Sequence, residues 1–189
     1  MLGKTHAAVG TASALLVMGS TVAHHPVSLV AGATIAAIGG LMPDIDLDSK
    51  HAKATGITSL AAVAAIGSGK ELTSSNLTQP NQLIGLLALI VLVVIGLKSN
   101  HRGFTHSIIA LALFSTAVEM IAGDVFIWFT IGYASHLIID LFNKKGESIL
   151  FPIKTKVCFN LCTADGITNK VLGTLATVIS ILVLAGRIL

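Results

Sequence analysis

Seven apolar runs divide this chain, at about 7–23, 27–42, 57–69, 82–97, 105–122, 125–142 and 170–187. Most approach the ~20 residues with which an α-helix crosses a hydrocarbon core of about 30 Å. A backbone in lipid must satisfy its own hydrogen bonds, so runs of this kind predict an all-α, polytopic transmembrane helix bundle of about six to seven helices. The run at 57–69 is short for a span. It is expected to thin the bilayer, extend into flanking polar residues or re-enter. Composition agrees: the chain is 53% hydrophobic and 11% charged, with a mean hydropathy of +0.87, against roughly 25% charged residues in soluble domains. A length of 189 residues suits one domain spanning 1–189. Lys4 followed by an apolar run has the outline of a signal peptide, but further apolar segments follow, and the run reads as an uncleaved first helix.

The net charge is +3, yet no five basic residues cluster and aromatic residues make up only 5%, so no nucleic-acid partner is expected. Orientation in a membrane explains the charge better. On an alternating path of seven crossings, Lys4, Lys50, Lys53, Lys98, Arg102, Lys144, Lys145, Lys154, Lys156 and Lys170 share one side, and only Lys70 and Arg187 lie opposite. Lys and Arg accumulate on the cytoplasmic side, which puts the N-terminus inside and the C-terminus outside. Cys158 and Cys162 have neither redox nor zinc-knuckle spacing and read as ordinary buried thiols. The long segment from Asn143 to Asn169 is expected to form short strands or a flap at the interface.

The same threading brings seven polar residues to one membrane boundary: His6, Asp44, Asp46, His101, His106, His136 and Asp140. His136 and Asp140 stand at i and i+4, on one helix face, where both can reach one ion. Pro43 ends a helix, and an extended alternation after it predicts that Asp44 and Asp46 point the same way. Gly103 lets the His101–Ser107 link bend, with Thr105 as N-cap of the following helix. Four imidazoles and three carboxylates exceed the needs of one catalytic zinc, which takes three protein ligands. Two ions are the natural count, of zinc or manganese type, and a pair about 3.5–4 Å apart can clamp a phosphate ester. Each residue also has a plainer reading. A lone His at a helix end is more often interfacial, Asp44 and Asp46 alone suit a solvated loop, and Asp48 and His51 read as loop residues. His24 and His25 fall on the far side. Convergence of four clusters favours a shared site. Arg102, between two ligands, is a candidate to grip phosphate, with a topology-setting charge as its alternative.

The motifs Thr5-His6 with Gly10, Leu41-Met42-Pro43-Asp44-Ile45-Asp46, His101-Arg102-Gly103-Phe104-Thr105-His106-Ser107 and Gly132-Tyr133-Ala134-Ser135-His136 with Asp140 resemble those of a family of bacterial membrane-bound, metal-dependent hydrolases. That family includes a LexA-regulated, DNA-damage-inducible inner membrane protein. The resemblance covers about residues 1–155 and carries the ligand role onto the same seven positions. Leu47 departs from it, because relatives often have a histidine there. More distantly, the early His and the His-x-x-x-Asp helix are similar to the zinc-dependent phospholipase C group, an analogy that suggests a phosphodiester substrate.

Together these imply a hydrolase in the bacterial inner membrane, acting at the cytoplasmic interface on a lipid or lipid-linked phosphate. Arg102 or a lysine would neutralise charge, and a carboxylate, Asp46 being the candidate, would accept the proton. Two rivals stand beside it. A metal transporter or sensor normally holds its ion near the midplane on broken helices, and a structural protein would use the metal to clamp helix ends. A cysteine-accessibility map is expected to place positions 48 and 155 on the same side of the membrane. Labelling from opposite sides would refute the topology.

Overall fold

Each apolar run becomes a helix. The structure, a computed structural model, describes residues 1–18, 26–47, 49–68, 80–164 and 166–188. Its helices are α1 (Gly3–Met18), α2 (Pro26–Leu41), α3 (Lys50–Ser68), α4 (Pro80–Lys98), α5 (Ile108–Ala122), α6 (Phe126–Leu141) and α7 (Ile167–Ile188). The segments Leu29–Asp46, Pro80–Lys98 and Ile167–Arg187 are long and apolar enough to cross a membrane. His24, His25, Asp48 and Lys70 lie outside the described residues, as does the side chain of His51. The short run at 57–69 resolves into the extended alternative: α3 begins at Lys50, because lysine and alanine, both strong helix formers, fill the stretch before it.

In lipid no hydrophobic force drives helices together, so close backbone approach over small residues carries the packing. Here α1, α2 and α6 meet in that way. A Cβ on Gly132 of α6 would lie 2.1 Å from the Ala36 carbonyl oxygen of α2, and one on Gly39 would lie 2.2 Å from the Phe129 carbonyl oxygen. Gly10 of α1 closes the triangle, 2.9 Å from the same Ala36 oxygen by the same measure. Around these contacts pack Leu15, Leu29, Ile35, Phe114, Phe129 and Tyr133, all buried. α4 and α7 instead turn apolar side chains outward, including Leu87, Val91, Leu175 and Leu182, as lipid-facing helices do.

Two local expectations change, and the third, at Gly103, finds its physical reason. Residues Met42–Asp46 form a 3-10 helix with Pro43 in its first turn, where a missing N–H does no harm, so Asp44 and Asp46 diverge instead of pointing together. Ser107, not Thr105, caps α5, its hydroxyl accepting from the Ala110 N–H at 3.1 Å. Gly103 is needed for a close approach: a Cβ there would sit 2.7 Å from the Asn100 carbonyl oxygen.

Between α6 and α7 the described residues contain no strand, only isolated bridges pairing Asn143 with Cys162 and Glu147 with Val157. This segment folds back over the bundle end, where Ile108 N–H donates to Ile149 O at 3.1 Å and Ser148 N–H to Arg102 O at 3.2 Å. Cys162 is buried within it, whereas Cys158 is exposed, contrary to the expectation of two buried thiols.

Because Gly132 touches backbone, no rotamer change can relieve a larger side chain. Gly132→Ala is expected to destabilise the bundle by about 1–3 kcal/mol, the usual range for overpacking, and to lower metal retention with it. Thermal unfolding in detergent followed by metal analysis checks this, and an unchanged Tm would show that the contact is not limiting.

Candidate metal centre

All seven residues singled out by the sequence arrive at one end of the bundle. His6 comes from the first turns of α1, Asp44 and Asp46 from the 3-10 helix after α2, His101 and His106 from the α4–α5 link, and His136 and Asp140 from the last turns of α6. His6, His106 and His136 are fully buried. The His6 and His136 rings stack with centroids 3.6 Å apart.

Hydrogen bonds set the tautomers. His136 Nδ1 lies 2.7 Å from the Gly40 carbonyl oxygen, which can only accept, so Nδ1 carries the proton and Nε2 keeps its lone pair. On His106, Nδ1 lies 3.2 Å from the Thr105 hydroxyl, which itself donates to Asp46 Oδ2 at 2.7 Å. His106 Nδ1 therefore donates, and its Nε2 is also a bare acceptor. The two Nε2 atoms face each other at 3.3 Å, an arrangement that a cation between them would satisfy. Tetrahedral zinc with bonds of about 2.0–2.1 Å separates its nitrogens by about 3.3–3.4 Å. Asp44 Oδ1 completes the triangle at 3.8 Å from each.

Around this point His6, His136 and Asp140 form one group of possible ligands, and Asp44, His101 and His106 a second, with ligand atoms inside 4.8 Å in each. His6 Nε2 is 3.2 Å from Asp140 Oδ1, but not aligned for a hydrogen bond, and neither ring nitrogen of His6 has a partner. A buried polar atom without a partner is disfavoured by about 1–3 kcal/mol, which an ion would relieve. The donor set thus fits divalent transition metal.

Asp46 and Arg102 stand differently from the rest. Asp46 accepts from the Thr105 hydroxyl, from the Arg102 N–H at 2.9 Å and from His101 Nδ1 at 2.8 Å. Both its oxygens are engaged in orienting histidines, the familiar role of a carboxylate behind a metal-bound imidazole. The Arg102 guanidinium donates to Asp140 Oδ2 at 2.9 Å and to the Lys145 carbonyl. Its backbone holds a left-handed φ of 61°, uncommon for an L side chain, and that bend turns its N–H onto Asp46. Asp140 Oδ1 also accepts from Asn143 Nδ2 at 2.7 Å and from the Met1 amino nitrogen.

Glu147 escaped the sequence reading. It is fully buried, neither carboxylate oxygen has a hydrogen-bond partner, and it forms a third possible group with His106 and Asp140. Burial pushes its carboxyl up to about 9, with the Asp140 charge adding and Arg102 opposing. The available signal was slight: one of three glutamates in the chain, seven residues past Asp140 on the lysine-rich side.

From this cluster a cavity of about 490 Å³ opens to the surface, lined by Asp44, His101, Arg102 and Asp140 and flanked by Lys144 and Lys145. A family model described as YdjM inner membrane protein matches residues 1–188. The chain belongs to that family. No curated protein and no solved structure matches. In this YdjM family member the four quoted motifs are thus the segments that meet at one end of the bundle.

Metal analysis separates ligands from their supports. Purified protein is expected to hold on the order of one to two transition ions per chain, fewer after His136→Ala or Asp44→Ala. Asp46→Asn is expected to weaken affinity by about 10–100-fold, as loss of an orienting partner does. An ion count unaffected by His136→Ala would remove that residue from the site.

Proposed function

We propose that this YdjM family protein is a membrane-embedded, metal-dependent hydrolase of phosphoester bonds in a lipid or lipid-linked substrate, acting at the cytoplasmic interface. The observation that carries the reading is the pair of facing Nε2 atoms of His106 and His136 at 3.3 Å, buried next to Asp44, which lies 3.8 Å from each and lines the open cavity. Zinc or manganese ions, when bound, supply Lewis acidity toward phosphoryl oxygens and a more acidic water.

The remaining groups are this chain's own contribution. His101 lines the cavity, with Nδ1 held on Asp46 Oδ1, so its Nε2 is free to accept, and Asp46 keeps the ring in that tautomer. Arg102, spent on Asp140 and the Lys145 carbonyl, fixes the ligand frame, which leaves the side chains of Lys144 and Lys145 as the mobile cations for a phosphate. The basic residues concentrate at this end of the helices, and the tendency of Lys and Arg to stay inside supports a cytoplasmic opening.

A structural clamp is the one rival with support, from the complete burial of His6, His106 and His136. Metal removal distinguishes the two: a clamp loses its helices, while a hydrolase loses turnover with circular dichroism unchanged. The direct test incubates metal-loaded protein with a panel of phospholipids and isoprenoid phosphates, read by mass spectrometry. Cleaved phosphoester is expected with the natural chain and at least a hundredfold less with His136→Ala, on the order of what loss of a key electrostatic group produces. No product from any lipid would overturn the reading.

A further inference from the structure

Beside the metal cavity lies a second one, of about 540 Å³, between the first turns of α1 and α7. Leu2 lines both, so a single side chain near the start of α1 forms part of each wall. Leu2 is fixed there by its N–H, which donates to Asn169 Oδ1 at 3.1 Å across the two helices. The walls of this second cavity carry two exposed lysines, Lys4 and Lys170, and no acidic residue. Among the described residues neither lysine has an acidic partner. Below them the floor is Gly173, with Thr177 and Val178 further along α7. Gly173 keeps the floor low, since a Cβ there would already come within 3.1 Å of Thr5 Oγ1. The groove continues beside an α7 surface that exposes Val171, Leu175 and Leu182, on a helix apolar enough to cross the membrane.

We infer that this groove seats one anionic phospholipid, its headgroup between Lys4 and Lys170 and its acyl chain along α7, with Leu2 separating the seated headgroup from the metal cavity. The inference rests on the hydrolase reading only in naming the substrate class, an anionic lipid entering sideways from the bilayer; the seat itself stands on the groove. Charge selects the occupant. Two cations without an acidic partner among the described residues, at the mouth of an apolar slot, complement a negative headgroup, and a zwitterionic one brings its own cation against them. The volume of about 540 Å³ lies within the roughly 300–1,000 Å³ of small-molecule sites, a size that suits a headgroup and the start of its chains.

Native mass spectrometry of the detergent-purified, metal-loaded protein tests this without calling on turnover. Phosphatidylglycerol is expected to be retained in preference to phosphatidylcholine. Lys4→Gln and Lys170→Gln should each weaken phosphatidylglycerol retention by about fivefold, the effect of one basic residue near an anionic surface. Gly173→Leu, which fills the floor, should abolish retention while metal content stays at the wild-type level. Equal retention of the two lipids, or lysine variants that hold phosphatidylglycerol as the wild type does, would show ordinary annular lipid and overturn the seat. Selective retention without hydrolysis of any lipid would overturn the hydrolase reading and leave the seat standing. Hydrolysis with retention indifferent to the lysine substitutions would do the reverse.

Discussion

The contact of α2 with α6 over glycine governs the rest of this protein. Gly132 rests on the Ala36 carbonyl and Gly39 on the Phe129 carbonyl, a separation that no side chain larger than hydrogen permits. Lipid tails are as apolar as the helix surfaces, so this backbone contact, and not expulsion of water, defines the relative position of the two helices. One turn further along, that position puts His136 Nδ1 on the Gly40 carbonyl at 2.7 Å. The tautomer of His136, and with it the direction of its free lone pair, is therefore a consequence of helix packing.

Charge imposes the second layer of order. Ionisable groups at membrane depth are tolerated when they face the bundle interior and find partners. Here the carboxylates do so unequally. Asp46 is saturated by protein donors from the α4–α5 link, and Asp140 takes Arg102 on one oxygen and Asn143 on the other. The ring nitrogens of His6 and the carboxylate oxygens of Glu147 are left without a hydrogen-bond partner, and Asp44 Oδ1 lies 3.8 Å from two imidazole nitrogens. Satisfied groups thus form a rim that holds position, and the unsatisfied ones are those that a cation would satisfy. Removing one side of such a buried arrangement is far more disruptive than its net contribution to stability would suggest.

Much of this was legible in the chain. Apolar runs located every helix, because in lipid the backbone has little alternative to a helix, and the i, i+4 spacing of His136 and Asp140 placed both on one face. Convergence of His6, Asp44, His101, His106, His136 and Asp140 also followed from counting crossings. What failed was local and short. The alternation expected for Asp44 and Asp46 gave way to a 3-10 turn, since a proline in a first turn is as compatible with continuing helically as with stopping. Thr105 was displaced as a cap by Ser107 because its hydroxyl serves Asp46, a partner 59 residues away. Glu147 left only a slight trace, for a single acid in a loop has no periodicity to betray which way it points.

Alone, then, the sequence determined that the chain is a helical membrane protein, that its polar residues gather at one end, and that side chains of types able to ligate a metal predominate among them. Those properties depend on composition and on distance along a helix, which are local. Tertiary structure alone showed which nitrogens of His106 and His136 face each other, that Asp46 and Arg102 are held by protein partners while Glu147 is buried beside the cluster, and that a cavity carrying two lysines adjoins it through Leu2. These depend on contacts between residues far apart in the chain, and in a lipid solvent such contacts are set by how closely helix backbones can approach.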